Sequence, residues 1–348
     1  MKSYMSKIVN SSFIAFLFSL VLLSSCKERI SGIALHGNTL AIDAGQEVFV
    51  KNPRDIQVRD SLLFMLGSGD GKLITLFSYP ELRFLGRLCT EGRGPKEFLD
   101  IACFCTDEDS LFIIQTSTKE MHSISLVDVL QESPDTWHVT QLDALQPPNL
   151  CYTKTDFGIV SVCAEGPRVR IIGDKTKSSE YGVPYDIPGV NNLFLNSMWS
   201  GPVAYSPENK MIVTATRLGD VLELINLPSL ERKTIVGPGG YPEFLKVGNG
   251  FSLGKIDGFY DVQIEGNEIY ALYSGADREE MSKALRSGEF FPDGGRTLRV
   301  YDLDGNLLRQ YDLDTSVHGF HVDLDRKQIL GFSNASSDLF YSFNIPEL

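Results

Sequence analysis

Few groups in this chain have the residue types and spacing that chemistry needs. Gly67-Ser68-Gly69-Asp70-Gly71-Lys72 has the composition of a loop that cradles phosphates on backbone N–H groups with a lysine alongside. Leu66 stands where the first glycine of such a loop belongs and Leu73 follows the lysine, so the segment reads as a hairpin turn. Asp302, Asp304 and Gly305 have the spacing that opens a calcium loop, but no glutamate closes it, and a turn is again expected. His318 and His321 flank Gly319-Phe320; in a strand that spacing sends the two imidazoles to opposite faces, which argues against joint metal ligation. Cys89, Cys103, Cys105, Cys151 and Cys163 include no CxxC pair and no Cys/His zinc spacing. Cys103 and Cys105 fall on the same side of one strand, and the expectation is buried thiols behaving as small hydrophobes. A nucleophile elbow, an HExxH helix and a recognisable triad are all missing. No catalytic residue, metal or cofactor is therefore expected.

Binding is better served. Trp199, Tyr205, Tyr241 and Tyr260 lie near expected strand ends or loops, where aromatic faces can stack on a sugar or a peptide. Arg93, with Lys96 close by, is the candidate for gripping an anionic group. The same residues have a structural alternative, packing between sheets.

The elements that must carry these residues are strands. From about residue 54 the chain is a succession of short alternating runs separated by Gly, Asp, Asn and Pro. Phe259-Tyr260-Asp261-Val262-Gln263-Ile264 turns at Glu265-Gly266-Asn267 into Ile269–Tyr273, and Leu298–Leu303 turns at Asp304-Gly305-Asn306. The chain also repeats itself. Gly71–Leu82 (GKLITLFSYPEL) recurs as Gly219–Leu230 (GDVLELINLPSL), 148 positions later. Gly94-Pro95-Lys96-Glu97-Phe98-Leu99 recurs more loosely as Gly240-Tyr241-Pro242-Glu243-Phe244-Leu245. If that offset covers three units, each has about 49 residues, close to a four-stranded propeller blade. The expectation is an all-β, six-bladed β-propeller with blades near 54–97, 98–145, 146–190, 191–240, 250–315 and 316–348; two β-sandwiches would also fit the offset. The last unit is a strand short, and Gln46–Lys51 (QEVFVK) is expected to supply it and close the ring. A short helical insert interrupts the fifth blade within 276–296: Asp277 and Glu280 form a capping box, Met281, Ala284 and Leu285 an apolar face, and Gly288 the stop.

The N-terminus has its own grammar. Lys2 and Lys7 precede an apolar run, Phe13–Leu23, too short to span a bilayer comfortably and suited to a signal peptide. Leu23-Ser24-Ser25-Cys26 resembles the lipobox of bacterial lipoproteins, which implies cleavage before Cys26 and acylation of its sulfur. The expected organisation is a signal peptide at 1–25, a lipidated tether at 26–40 and a propeller at 41–348, anchored in the outer membrane. More than one acyl chain makes such anchoring stable.

Gly92-Arg93-Gly94-Pro95-Lys96-Glu97-Phe98 resembles the G-x-G-P-x-E-F signature of six-bladed, TolB-like β-propeller lipoproteins. Ala204-Tyr205-Ser206-Pro207-Glu208-Asn209 and Val300–Gly305 (VYDLDG) are similar to further features of that family. The second copy of the signature departs from it by moving the proline, so Gly240, Glu243 and Phe244 match only in part. Read from the residues, the signature joins two blades: glycines permit unusual backbone angles, Pro95 fixes a turn, Glu97 accepts backbone N–H bonds, and Phe98 plugs between sheets.

Charge narrows the partners. The formal net charge is −13, and removing residues 1–25 with their two lysines takes it to −15. An acidic surface repels phosphate backbones and other polyanions, so nucleic acid is excluded in favour of protein or neutral-glycan partners, with the chain a monomer. The alternative class is a hydrolase or lyase acting on an extracellular polysaccharide, with acid and base on propeller loops. Anchoring is testable on its own: Cys26→Ala is expected to move the protein from the membrane fraction to the soluble fraction, and a variant that still sediments with membranes places the anchor elsewhere.

Overall fold

The computed structural model describes residues 31–43, 48–94, 97–131, 136–142, 151–162, 168–172, 198–227, 229–243, 245–247, 250–252, 254–289 and 291–347. The signal segment and Cys26 lie outside these, as do Pro95, Cys163 and Phe244. Within Ile33–Leu348 the strands form a six-bladed β-propeller whose sheets are mainly four-stranded.

Blade 1 is Lys51–Arg59, Leu62–Gly69, Lys72–Ser78 and Phe84–Thr90, joined in sequence by antiparallel pairing. Blade 2 is Cys103–Thr106, Ser110–Gln115, Glu120–Ser125 and His138–Gln141. Blade 3 contains Cys151–Thr155, Gly158–Val162 and Val169–Ile172 among the described residues. Blade 4 is Val203–Ser206, Met211–Ala215, Val221–Asn226 and Arg232–Val236, and a small hairpin, Leu245–Val247 with Gly250–Ser252, follows it. Blade 5 is Phe259–Glu265, Glu268–Tyr273, Gly295–Asp302 and Leu307–Val317. Blade 6 takes only three strands from the C-terminal chain, Gly319–Asp323, Gln328–Phe332 and Phe340–Asn344.

The fourth strand of blade 6 is Gly37–Leu40, antiparallel to Phe340–Asn344. Closure by N-terminal chain is therefore as expected, but through a different segment: of 46–51, residues 48–50 are outside any strand and Lys51 opens blade 1. The chain is in the ring earlier still, because Ile33–Leu35 adds a parallel fifth strand to blade 5. Strand structure thus begins inside the stretch expected as tether. Gly37 marks the crossing between the two blades; a Cβ there would lie 2.8 Å from the Phe343 ring.

The 148-residue repeat is three blades long. Lys72–Ser78 is the third strand of blade 1 and Val221–Asn226 the third strand of blade 4. Gly71 and Gly219 precede them with φ of 72° and 78°. Leu82 and Leu230 then donate backbone N–H bonds to Ser78 and Asn226, at 3.1 and 2.8 Å. Asp70 and Gly71 both have positive φ, which makes the phosphate-loop look-alike a tight hairpin turn. Asp302 spends its carboxylate on the backbone and side-chain amides of Asn306, each 2.8 Å away, as a turn residue.

The insert in blade 5 is the helix Arg278–Ser287, capped by Asp277 through Glu279 and Glu280 N–H groups and stopped by left-handed Gly288. Ala284 is buried, but Leu285 is 75% exposed, so the helix shields a narrower apolar face than the expected trio. Between blades 1 and 2 sits Phe98, 2% exposed, against His122 and Trp137 at ring distances of 4.8 and 5.6 Å. Glu97 curls over the loop before it and accepts from Gly94 N at 2.6 Å. Gly92 and Gly94 are needed for room, not for positive φ: a Cβ at Gly92 would overlap the Glu97 carboxylate. Phe98→Ala is expected to cost about 3–5 kcal/mol in denaturant unfolding; a loss under about 1 kcal/mol would mean that the side chain is not the inter-blade plug.

Candidate functional site

The first strand of every blade faces the ring axis, and together they enclose a central cavity of about 1060 Å³. Its wall takes residues 54–59, 101–109, 152–156, 201–208 and 260–266, with His321 from blade 6. The turns that leave these strands contribute Asp107, Glu108, Asp109, Asp156, Glu208 and Glu265, against only Arg54, Arg59 and Lys154 as cations. The cavity is acidic, like the chain as a whole.

Two carboxylates from different blades meet electrostatically inside it. Asp261 is pushed up to about 7 by burial, even though its oxygens accept from Val262 N at 2.7 Å and Phe320 N at 3.0 Å. Asp55 is raised well above the usual carboxylate range by burial and then by the nearby Asp261 charge. Burial and the Asp261 charge therefore both disfavour ionisation of Asp55. Both strands carry the same tetrad pattern, Asp55-Ile56-Gln57-Val58 and Asp261-Val262-Gln263-Ile264. His321, on the cavity wall against the Tyr79 ring, is held down to about 4 by burial and stays neutral.

Of the aromatic candidates, Tyr205 and Tyr260 line this cavity from neighbouring blades. Burial, followed by the Asp156 carboxylate, pushes Tyr205 up to about 12. Tyr260 is held by three partners. The Arg217 guanidinium lies 3.4 Å from its ring centroid, His318 meets it edge-on at 5.5 Å, and its hydroxyl donates to Asp293 at 2.7 Å. His318 Nδ1 accepts from Asn334 N at 3.3 Å, and its Nε2 lies 3.3 Å from the Asp293 carboxylate. The His318 hydrogen bond, helped by Tyr260, holds Asp293 well below the usual carboxylate range.

The other candidates are elsewhere. Trp199 is 1% exposed, 6.1 Å from the Tyr241 ring and 5.8 Å from the Arg168 guanidinium. Arg168 in turn pairs with buried Glu223, which also takes Arg232 at 2.8 Å. This pair of rings thus belongs to the joint between blades 3 and 4, away from the cavity wall. Arg93 is exposed in the loop between blades 1 and 2 and does not line the cavity. Gly240 has φ of 71° and accepts from Asp220 N at 2.7 Å, a turn role, while Glu243 is exposed. Among the described residues no group of three or more His, Cys, Asp or Glu side chains is placed to hold a metal ion, and no helix is long and apolar enough to cross a membrane.

Residues 36–325 match the family described as a TolB-like, six-blade propeller. The chain belongs to the TolB-like six-bladed propeller family. A Bacteroides fragilis protein taken to be exported is similar in fold, with a TM-score of 0.52 at 10% identity over 92% of this chain and 98% of that one. A DUF4221 family member from Bacteroides vulgatus aligns with a TM-score of 0.51 at 9% identity over 91% and 97%. At such identities the likeness concerns the fold alone. A search of curated proteins finds no match.

The carboxylate pair makes a pH prediction. Asp261 keeps in the native state a proton that the unfolded chain releases near pH 4, so its contribution to stability falls as pH rises from about 4 to about 7, and the raised Asp55 acts in the same direction. Asp55→Asn removes the repulsion and is expected to raise Tm by about 2–4 °C at pH 8, the shift for roughly 1 kcal/mol, with little change at pH 5. Equal Tm changes at the two pH values would show that the acids do not interact.

Proposed function

We propose that this propeller is a lipid-anchored binding protein of the outer membrane, tethered through Cys26, which receives a protein or neutral-glycan partner at its central cavity. The observation that carries the reading is the placement of Tyr205 and Tyr260 on one cavity wall, with Tyr260 held rigid by Arg217, Asp293 and His318. A pre-positioned ring loses little freedom when a sugar face or a peptide side chain packs on it. The acidic wall works against polyanions and leaves uncharged or cationic surfaces as partners.

A second reading rests on Asp55 and Asp261. A cavity with two acids pushed toward neutrality offers a proton donor for cleavage of a polysaccharide, Asp55 being the acid whose oxygens are less committed to backbone N–H groups.

Glycan-array and partner-capture measurements separate these readings. Binding is expected to weaken at least tenfold in Tyr205→Ala and in Tyr260→Ala, while Asp55→Asn retains it. Heparin-column retention is expected to be lost at about 150 mM salt, where the Debye length is about 8 Å. Tight, salt-sensitive retention would overturn the exclusion of polyanions. Product release from a polysaccharide that disappears in Asp55→Asn would establish the second reading in place of the first.

A further inference from the structure

The cavity exposes a pair of thiols that the proposed partner site does not require, one of which, Cys103, also packs against Ile114 and Tyr152. Cys103 and Cys105 are alternate residues of the first strand of blade 2, opposite Ile114 and Phe112 in register. They therefore lie on one face of the strand. The expectation from sequence was burial, and Cys89 meets it at 0% exposure. Cys103 and Cys105 do not: both are partly exposed, both line the central cavity, and neither is in a disulfide.

The Cys103 and Cys105 side chains are in hydrogen-bonding contact with each other, and Cys105 also meets the Lys154 backbone. Lys154 is itself fixed, donating to Asp107 at 3.0 Å and lying 4.0 Å from the Phe112 ring centroid. Closing the pair on itself is unfavourable. Residues i and i+2 of a strand are about 6.6 Å apart at Cα, near the limit of disulfide geometry. A bridging atom between the sulfurs relaxes that constraint.

We infer that Cys103 and Cys105 form a two-coordinate site for a soft monovalent cation of the Cu(I) class inside the propeller cavity. Thiolates select such ions, whereas hard and borderline cations demand additional donors, and the described residues offer no group of three. Asp107, on the same wall and acting on Cys105, adds negative charge beside the pair. In the binding step two S–H bonds break, two Cu–S bonds form, two protons leave to solvent, and no electron is exchanged, so the bis-thiolate complex carries one negative charge.

The test is anaerobic titration of the reduced protein with bicinchoninate-bound Cu(I), following the loss of chelator colour. One equivalent is expected to transfer to the wild type, with affinity at least 100-fold lower in Cys103→Ser and in Cys105→Ser and unchanged in Cys89→Ser. Peptide mapping of the wild type after alkylation gives a readout that needs no variant: Cu(I) is expected to protect Cys103 and Cys105 and to leave Cys89 as it was. The inference is overturned if the wild type takes no Cu(I), if either serine variant takes it as the wild type does, or if protection falls on other cysteines.

Discussion

Everything in this molecule hangs on a four-residue strand. Gly37–Leu40 pairs with Phe340–Asn344 and joins the first residues of the ring to the last. Without it, blade 6 would end on an unpaired edge, and the ring would be held shut there by side chains alone. The junction is reinforced on both sides. Ile33–Leu35 runs along Tyr311–Leu313, and Asp314 accepts from Gly37 N at 2.9 Å and contacts His36 at 3.1 Å. The same few residues thus stitch blades 5 and 6 together.

Closure matters because neighbouring blades share few backbone hydrogen bonds, so each joint relies on packing and on one or two polar clasps. Phe98 fills the joint of blades 1 and 2. Lys154 and Asp107 link blades 2 and 3, and Arg168 with Glu223 links 3 and 4. Asp220 and Arg299, 2.7 Å apart and largely buried, link 4 and 5. Asp261 and Gln263 hold the backbone of blade 6 at Phe320 and Val322, and Asp323 accepts the Tyr79 hydroxyl at 2.8 Å to complete the circle. Buried pairs of this kind add specificity of docking more than net stability, but removing one partner leaves an uncompensated charge. Several clasps reach the axis, so the residues that assemble the ring are also those that give the cavity its charge.

The fold was legible in the sequence because a propeller repeats, and repetition needs no knowledge of contacts. Gly71 and Gly219, with Leu82 and Leu230, mark equivalent turns three blades apart, and Asp277 with Gly288 brackets the inserted helix. The closing strand was misplaced because Gly37-Asn38-Thr39-Leu40 carries little alternation, while Gln46–Lys51 carries more; edge strands are chosen by what they pair with, not by their own pattern. The cavity was less legible. Trp199 reads equally as a stacking ring or as packing between sheets, and it is buried against Arg168 and Tyr241, since sequence shows that a ring sits near a strand end but not which side of the blade it faces. Asp55 and Asp261 did leave a signal, an acid within an apolar strand in the shared pattern Asp-x-Gln, but their meeting depends on ring geometry that only three dimensions supply.

Hydrogen–deuterium exchange of the intact protein, read residue by residue along the closing strand, tests the closed ring most directly. The ring predicts that the amides of Asn38 to Leu40 exchange as slowly as those of Phe340–Asn344, because the two strands can only open together. Exchange of residues 37–40 at the rate of unstructured chain, with Phe340–Asn344 still protected, would contradict it and show a propeller held shut some other way.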